Sequence, residues 1–196
     1  MFCNQCEQTV KGEACTKGGV CGKPQDVAAL QDLLIHALIG LSSAASEARR
    51  KGIVDHDADV FTVRALFSTL TNVNFDAERF VTLIGQAVKT RDSLIGKVQA
   101  SGGSLDLSKE ALAFKPAGTL DGLVAQGEKA GLKSYPAANA DILSLKHTLL
   151  FGLKGVAAYA DHAQILGQED TAVYAFVHEA MASLADEKIG LEAALA

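Results

Sequence analysis

Apolar residues recur at positions 27, 30, 34, 38 and 41 of "KPQDVAALQDLLIHALIGLSSAASEARRKG", residues 23–52. That spacing puts them on one face of a helix. Pro24 and Asp26 form its start, and Gly52 ends it. "DHDADVFTVRALFSTLTN", 55–72, predicts a second helix with acidic residues at its start, where the helix dipole favours them. "NFDAERFVTLIGQAVKTRDSLIGKVQA", 74–100, predicts a third, capped near Asn74 or Asp76. Short joints between them predict an antiparallel three-helix bundle over 26–100. Residues 101–118, "SGGSLDLSKEALAFKPAG", read as a connector. A short helix over 119–131 follows, then a loop containing Pro136.

The pattern then recurs. "LQDLLIHALIGLSSAASEARRKG" (30–52) aligns without a gap on "LKHTLLFGLKGVAAYADHAQILG" (145–167), at an offset of 115. Identities include Leu30/Leu145, Leu38/Leu153, Gly40/Gly155 and Gly52/Gly167, and they run on through Asp55/Asp170, Phe61/Phe176 and Ser68/Ser183. Gapless self-similarity of this length is the mark of a structural repeat. The shared mid-helix glycine is informative, because it costs about 1 kcal/mol against alanine. It predicts a close helix crossing in both copies. The expected fold is therefore all-α: two consecutive three-helix-type bundles related by an internal repeat, over 26–100 and 119–196, behind a cysteine-rich loop at 1–25. A third helix of the second bundle would begin near position 191, so that bundle is expected to be cut short. Its uncovered apolar face would then be a partner surface.

Composition agrees with a helical, soluble chain: 48 % hydrophobic residues and only three prolines among 196. The net charge of −5 is spread along the chain, and no basic patch interleaves with aromatics, so nucleic acid is not an expected partner. The most apolar stretch, "LLIHALIGLSSAA", is interrupted by His36 and serines and reads as too short to span a bilayer. The absence of a charged n-region and apolar h-region before Cys3 points to a cytoplasmic protein, whose free thiols stay reduced.

All four cysteines lie in the first 21 residues, as C-x2-C-x8-C-x5-C: Cys3, Cys6, Cys15 and Cys21. Soft thiolates select zinc or iron–sulfur clusters. A single zinc ion is usually gripped by two short knuckles, and only Cys3–Cys6 is short here. The longer arms carry Gly12, Gly18, Gly19 and Gly22, which let backbone approach a bulky inorganic core. An iron–sulfur cluster fits this spacing best, with structural zinc and a redox or disulfide pair as alternatives. The residues alone do not choose between [4Fe–4S] and [2Fe–2S].

The remaining candidates are weaker. His36, His147, His162 and His178 fall in predicted helices and His56 in a loop. None pairs at i, i+4 with another ligand, so each reads as packed or solvated. "VHEA" at 177–180 lacks the second histidine of a zinc-protease motif. Asp55, Asp57 and Asp59 lack the glycine and distal glutamate of a calcium loop and read as helix-start charges. Ser68 has no visible activating partner and reads as helix-end polar chemistry.

"MFCNQCEQT", "CTKGGVCGK", "LQDLLIHALIGL", "FSTLTNVNFD" and "LLFGLKGVAAYADHAQILG" resemble the N-terminal domain of the hybrid cluster, or prismane, family of hydroxylamine reductases. The resemblance covers nearly the whole chain. It implies two three-helix bundles, and a simple cluster that passes electrons. By analogy with the compact spacing class, it implies that Cys3, Cys6, Cys15 and Cys21 ligate a [4Fe–4S] cluster. Family members are much longer, and their hybrid iron–sulfur–oxygen cluster is held by His, Glu and Cys of later domains absent here. The resemblance thus implies an electron-entry module with no catalytic residue of its own, which hands electrons to a hybrid cluster that reduces hydroxylamine or nitric oxide. A small redox protein or reductase would be the donor. The missing C-terminal domains, or a second subunit, would cover the apolar face; no membrane is expected. The alternative is a zinc-stabilised helical scaffold for protein interaction, without redox activity.

Overall fold

The computed structural model describes residues 3–135, 137, 139–186 and 192. The loop at Pro136 and, apart from Glu192, the third helix expected near 191 lie outside them. The described residues form an all-α fold of α1 (Gln25–Arg50), α2 (His56–Ser68), α3 (Ala77–Ala100), α4 (Glu110–Ala113), α5 (Leu120–Gly127), α6 (Ala140–Ile165) and α7 (Thr171–Ser183). Short polar side chains start most of these helices. Asp55, Asp76, Thr119, Asn139 and Asp170 each accept a hydrogen bond from a first-turn N–H. His56 is the first residue of α2 rather than part of a loop.

The 115-residue offset reappears in the helix boundaries. α1 and α6 are the same length, α2 and α7 are the same length, and each pair begins and ends 115 residues apart. The joints match as well. Gly52 and Gly167 both take φ +75° just past the helix end, and the Ile53 and Gln168 N–H groups return to the Ala48 and Ala163 carbonyls at 2.9 Å. The two hairpins do not fold side by side as closed units. α1 packs on α7 and α2 on α6, so each hairpin exchanges partners with the other.

α1 is the hub, packed by α3, α7, α5, α4 and α2. It is long and apolar enough to cross a membrane by length and composition, which the reading of its central stretch alone missed. That apolarity is used inside the protein: 89 % of its most apolar window is buried. The 101–118 connector is more than a linker. It contains α4, whose Ala111 and Leu112 are buried against α1. Arg91 of α3, itself buried, donates to the Ala111 and Phe114 carbonyls at 3.1 and 2.8 Å and so holds α4 down. A Cβ at Gly40 would overlap the Ala111 carbonyl, so only glycine allows this crossing.

Its counterpart Gly155 faces open space, with nothing within 4 Å of a built Cβ. The whole face differs likewise. Leu41 and Ala44 of α1 are 0 % exposed, while their repeat partners Val156 and Tyr159 of α6 are 38 % and 80 % exposed. Gly152, Gly155, Val156, Tyr159 and Ala160 line an open apolar groove of about 700 Å³ that continues to Val173 and Tyr174 of α7.

A buried polar network ties the hairpins together. His178 of α7 places Nε2 3.0 Å from Asp59 Oδ1 and Nδ1 3.2 Å from the Ser42 hydroxyl. Arg49 donates to Asp59 Oδ2 at 2.5 Å. Burial alone would raise the Asp59 carboxyl, but the hydrogen bonds from His178 and Arg49 outweigh it and hold it below the usual range. The Ser–His–Asp order resembles a nucleophilic triad, yet Ser42 has no exposed surface for a substrate atom to reach. The network is structural, and Asp59 is a core partner rather than only a helix-start charge.

The paired glycines make the asymmetry measurable. Gly40→Ala should destabilise the chain by about 1–3 kcal/mol through overpacking. Gly155→Ala should be neutral or stabilise by up to about 1 kcal/mol through helix propensity. Urea unfolding of both variants checks the two signs.

Candidate metal centre

The cysteine loop precedes α1 and is shaped by its own backbone. Cys3 and Cys15 form an isolated antiparallel bridge, with Cys15 N–H donating to the Cys3 carbonyl at 2.8 Å and Cys3 N–H to the Cys15 carbonyl at 3.4 Å. A bridge of this kind sets the two Cα atoms about 5.5 Å apart. A 3-10 turn at Val10–Gly12 reverses the chain between Cys6 and Cys15. A second tight turn carries Cys21, with Gly22 N–H donating to the Gly19 carbonyl at 2.9 Å and Gly22 at φ +85°. All four cysteines are free thiols; Cys15 is buried and the others are partly so.

Backbone pairing thus brings Cys3 and Cys15 together, with Cys6 and Cys21 on turns of the same loop. Among the described residues, no three His, Cys, Asp or Glu side chains gather closely enough to hold one metal ion. None of the histidines joins the cysteines in such a group. His36 is buried and places Nδ1 2.7 Å from the Tyr135 hydroxyl, and burial lowers its pKa. His56 is exposed and pairs with Glu169 at 2.6 Å. His162 stacks edge-on against Phe67.

The residues that sequence reasoning missed are two lysines. Lys23 is 2 % exposed. Its Nζ lies 2.6 Å from Gln31 Oε1 and 3.8 Å from Cys3 Sγ. Lys154 of α6 is also 2 % exposed, and its Nζ donates to Gln5 Oε1 at 3.1 Å and to the Thr69 carbonyl at 3.2 Å. Lys23, Lys154, Cys3, Gln5, Asp32 and His147 border one cavity of about 120 Å³ between the loop, α1 and α6. Desolvation pulls the Lys154 ammonium down to about 7, with Asp32 drawing it up and Lys23 pushing it down. Lys23 follows Cys21 by two residues and could have been noticed. Lys154 sits where the repeat has Ile39, so a charge in a core register was the available signal.

The donor chemistry suits a thiolate-bound inorganic centre. Four thiols sit in one loop, and two buried lysines lie beside one of them, where their protonated forms would stabilise negative charge. A protein-family model described as Prismane/CO dehydrogenase family matches residues 1–195. The chain belongs to this family. Within the prismane family it is 60 % identical over 191 residues to a hydroxylamine reductase of Syntrophobacter fumaroxidans, covering 97 % of this chain and 35 % of that protein. It is 54 % identical to one of Methanocella arvoryzae, over 97 % of this chain and 35 % of that protein, and 52 % identical to one of Solidesulfovibrio magneticus, over 100 % and 36 %. The chain spans about a third of the length of these curated relatives.

Lys154 yields a pH signature. Its folded pKa of about 7 lies below the 10.5 of an ordinary lysine, so between those values the unfolded chain binds the extra proton. The burial penalty is complete below pH 7 and is relieved as pH rises toward 10.5. Metal-free protein should therefore gain stability between pH 7 and 10. In Lys154→Met that gain should shrink, as read by denaturant titrations of both proteins across the range.

Proposed function

We propose that the chain is the electron-entry module of a prismane-family hydroxylamine reductase, with Cys3, Cys6, Cys15 and Cys21 holding one [4Fe–4S] cluster. The observation that carries this reading is the four free thiols of one loop, with two buried lysines beside Cys3. When bound, the cluster would accept and release single electrons. The chain's own residues do the rest. Turns at Val10–Gly12 and Gly19–Gly22 aim the thiols, the Lys23–Gln31 contact fastens the loop to α1, and the helical body keeps the site at a fixed distance from whatever receives the electron.

The sequence spacing supports a cluster over zinc, because only the Cys3–Cys6 pair forms a short knuckle. One zinc ion draws its thiolates to within about 4 Å of each other, whereas a multi-iron core takes them on separate irons and spreads them further. A reducing compartment such as the cytoplasm suits four unpaired thiols. The donor of electrons would be a small redox protein or reductase. Hydroxylamine chemistry would belong to the remaining two thirds of a full-length relative, and the 196 residues alone should not reduce hydroxylamine with a reduced viologen dye.

The groove on α6 is the natural seat for further chain. In the first repeat the equivalent face is covered by α3 and α4, so a helix continuing the polypeptide would complete the second bundle by the same packing. Gly155→Ala, harmless in these 196 residues, should then become destabilising by about 1–3 kcal/mol in a polypeptide extended to family length. Thermal unfolding of the two lengths side by side reads this out, and an equal effect in both would argue against the occupant.

The cluster itself is tested by anaerobic purification with iron and acid-labile sulfide analysis. The expected result is about four of each per chain, a brown colour that bleaches with dithionite, and loss of at least half the iron in Cys15→Ser. A colourless protein carrying one zinc would favour the interaction-scaffold alternative instead.

A further inference from the structure

We propose that Lys23 and Lys154 are counter-charges for the centre held by the cysteine loop, and that their ammonium groups raise its reduction potential. This rests on the cluster reading above. The two lysines come from opposite sides, Lys23 from the end of the loop and Lys154 from the middle of α6, and meet at the cavity that Cys3 borders. Neither is held by an ion pair among the described residues. Lys23 donates to the Gln31 side-chain oxygen and approaches Cys3 Sγ at 3.8 Å, and Lys154 donates to Gln5 and to the Thr69 carbonyl. Gln31 is itself fixed, its Nε2 donating to the Asn74 carbonyl at 3.3 Å.

Burying an ammonium on neutral acceptors costs folding free energy, and burying two that repel each other costs more. Asp32 offsets part of this at the cavity wall. The arrangement becomes favourable once a second negative charge stands at Cys3. Thiolate ligation brings such a charge, and each electron added to a thiolate-bound cluster increases it. Cations at close range therefore stabilise the reduced state more than the oxidised one. Lys23 acts at contact distance through an N–H···S bond. Lys154, which negative charge at Cys3 would hold protonated, acts through space, and its hydrogen bond to Gln5 places it beside the Cys3–Cys6 turn.

The test is a dye-mediated potentiometric titration of the anaerobically purified chain, following the visible bleaching, with iron and sulfide measured on every sample. Lys23→Met and Lys154→Met should each move the midpoint to more negative potential, Lys23→Met by the larger step, while Lys23→Arg should stay near the wild type. Unshifted midpoints in both methionine variants, at wild-type iron and sulfide content, would overturn the counter-charge role and leave the cluster reading intact. Should Lys23→Met fail to retain iron, Lys154→Met decides alone. A wild-type chain with no bleachable chromophore would instead refute the cluster reading at the first step.

Discussion

The constraint on which this structure depends is that α1 has almost no face left for solvent. Nineteen of its 26 residues are buried, and α3, α4, α5 and α7 are arranged around it. Each large apolar side chain sealed in this way contributes about 1.5–3 kcal/mol relative to exposure. The surrounding helices have few other ways to cover it. Gly40 admits α4, Arg91 then satisfies the carbonyls that α4 leaves unpaired, and the Ser42–His178–Asp59–Arg49 network locks α7 to the opposite side. The cysteine loop inherits its position from this hub, because Lys23 reaches back to Gln31 on the same helix.

Two tandem hairpins solve the packing problem by exchanging partners, α1 with α7 and α2 with α6. The exchange relates the repeats as equals, yet their environments differ. α1 is buried beneath α3 and α4, while the matching face of α6 is open at Val156 and Tyr159. Identical helix boundaries with unequal burial leave on α6 an open apolar face, the one proposed above as the seat for further chain. In the same way, two lysines sealed beside Cys3 form a setting that favours negative charge. Both features cost stability in the isolated chain, and both become sensible once a further component is present.

Much of this was legible in the residues. The long helices α1 and α3 announce themselves through periodicity, and the self-alignment at an offset of 115 points to the second hairpin, whose helices begin and end 115 residues after those of the first. The four cysteines declare soft-metal chemistry by type and spacing. Other parts were not legible, for physical reasons. α4 is a single turn inside a connector rich in Gly and Ser, held by a long-range contact with Arg91 that no local pattern encodes. Asp59 reads as a helix-start charge because its partners, Arg49 and His178, lie 10 and 119 residues away. Lys154 looks like a surface residue in a repeat that elsewhere puts Ile39 in the core. Only the packing of α6 against α2 and the loop shows that its charge is turned inward.

The central claim is that the leading thiolates share one multi-iron centre that the helical body holds in place. X-ray absorption at the iron and zinc edges, on chain purified without exposure to oxygen, tests it most directly. An iron edge with sulfur neighbours and a clear iron–iron shell is the expected result. A zinc edge with a single sulfur shell and no metal–metal scattering would contradict the account.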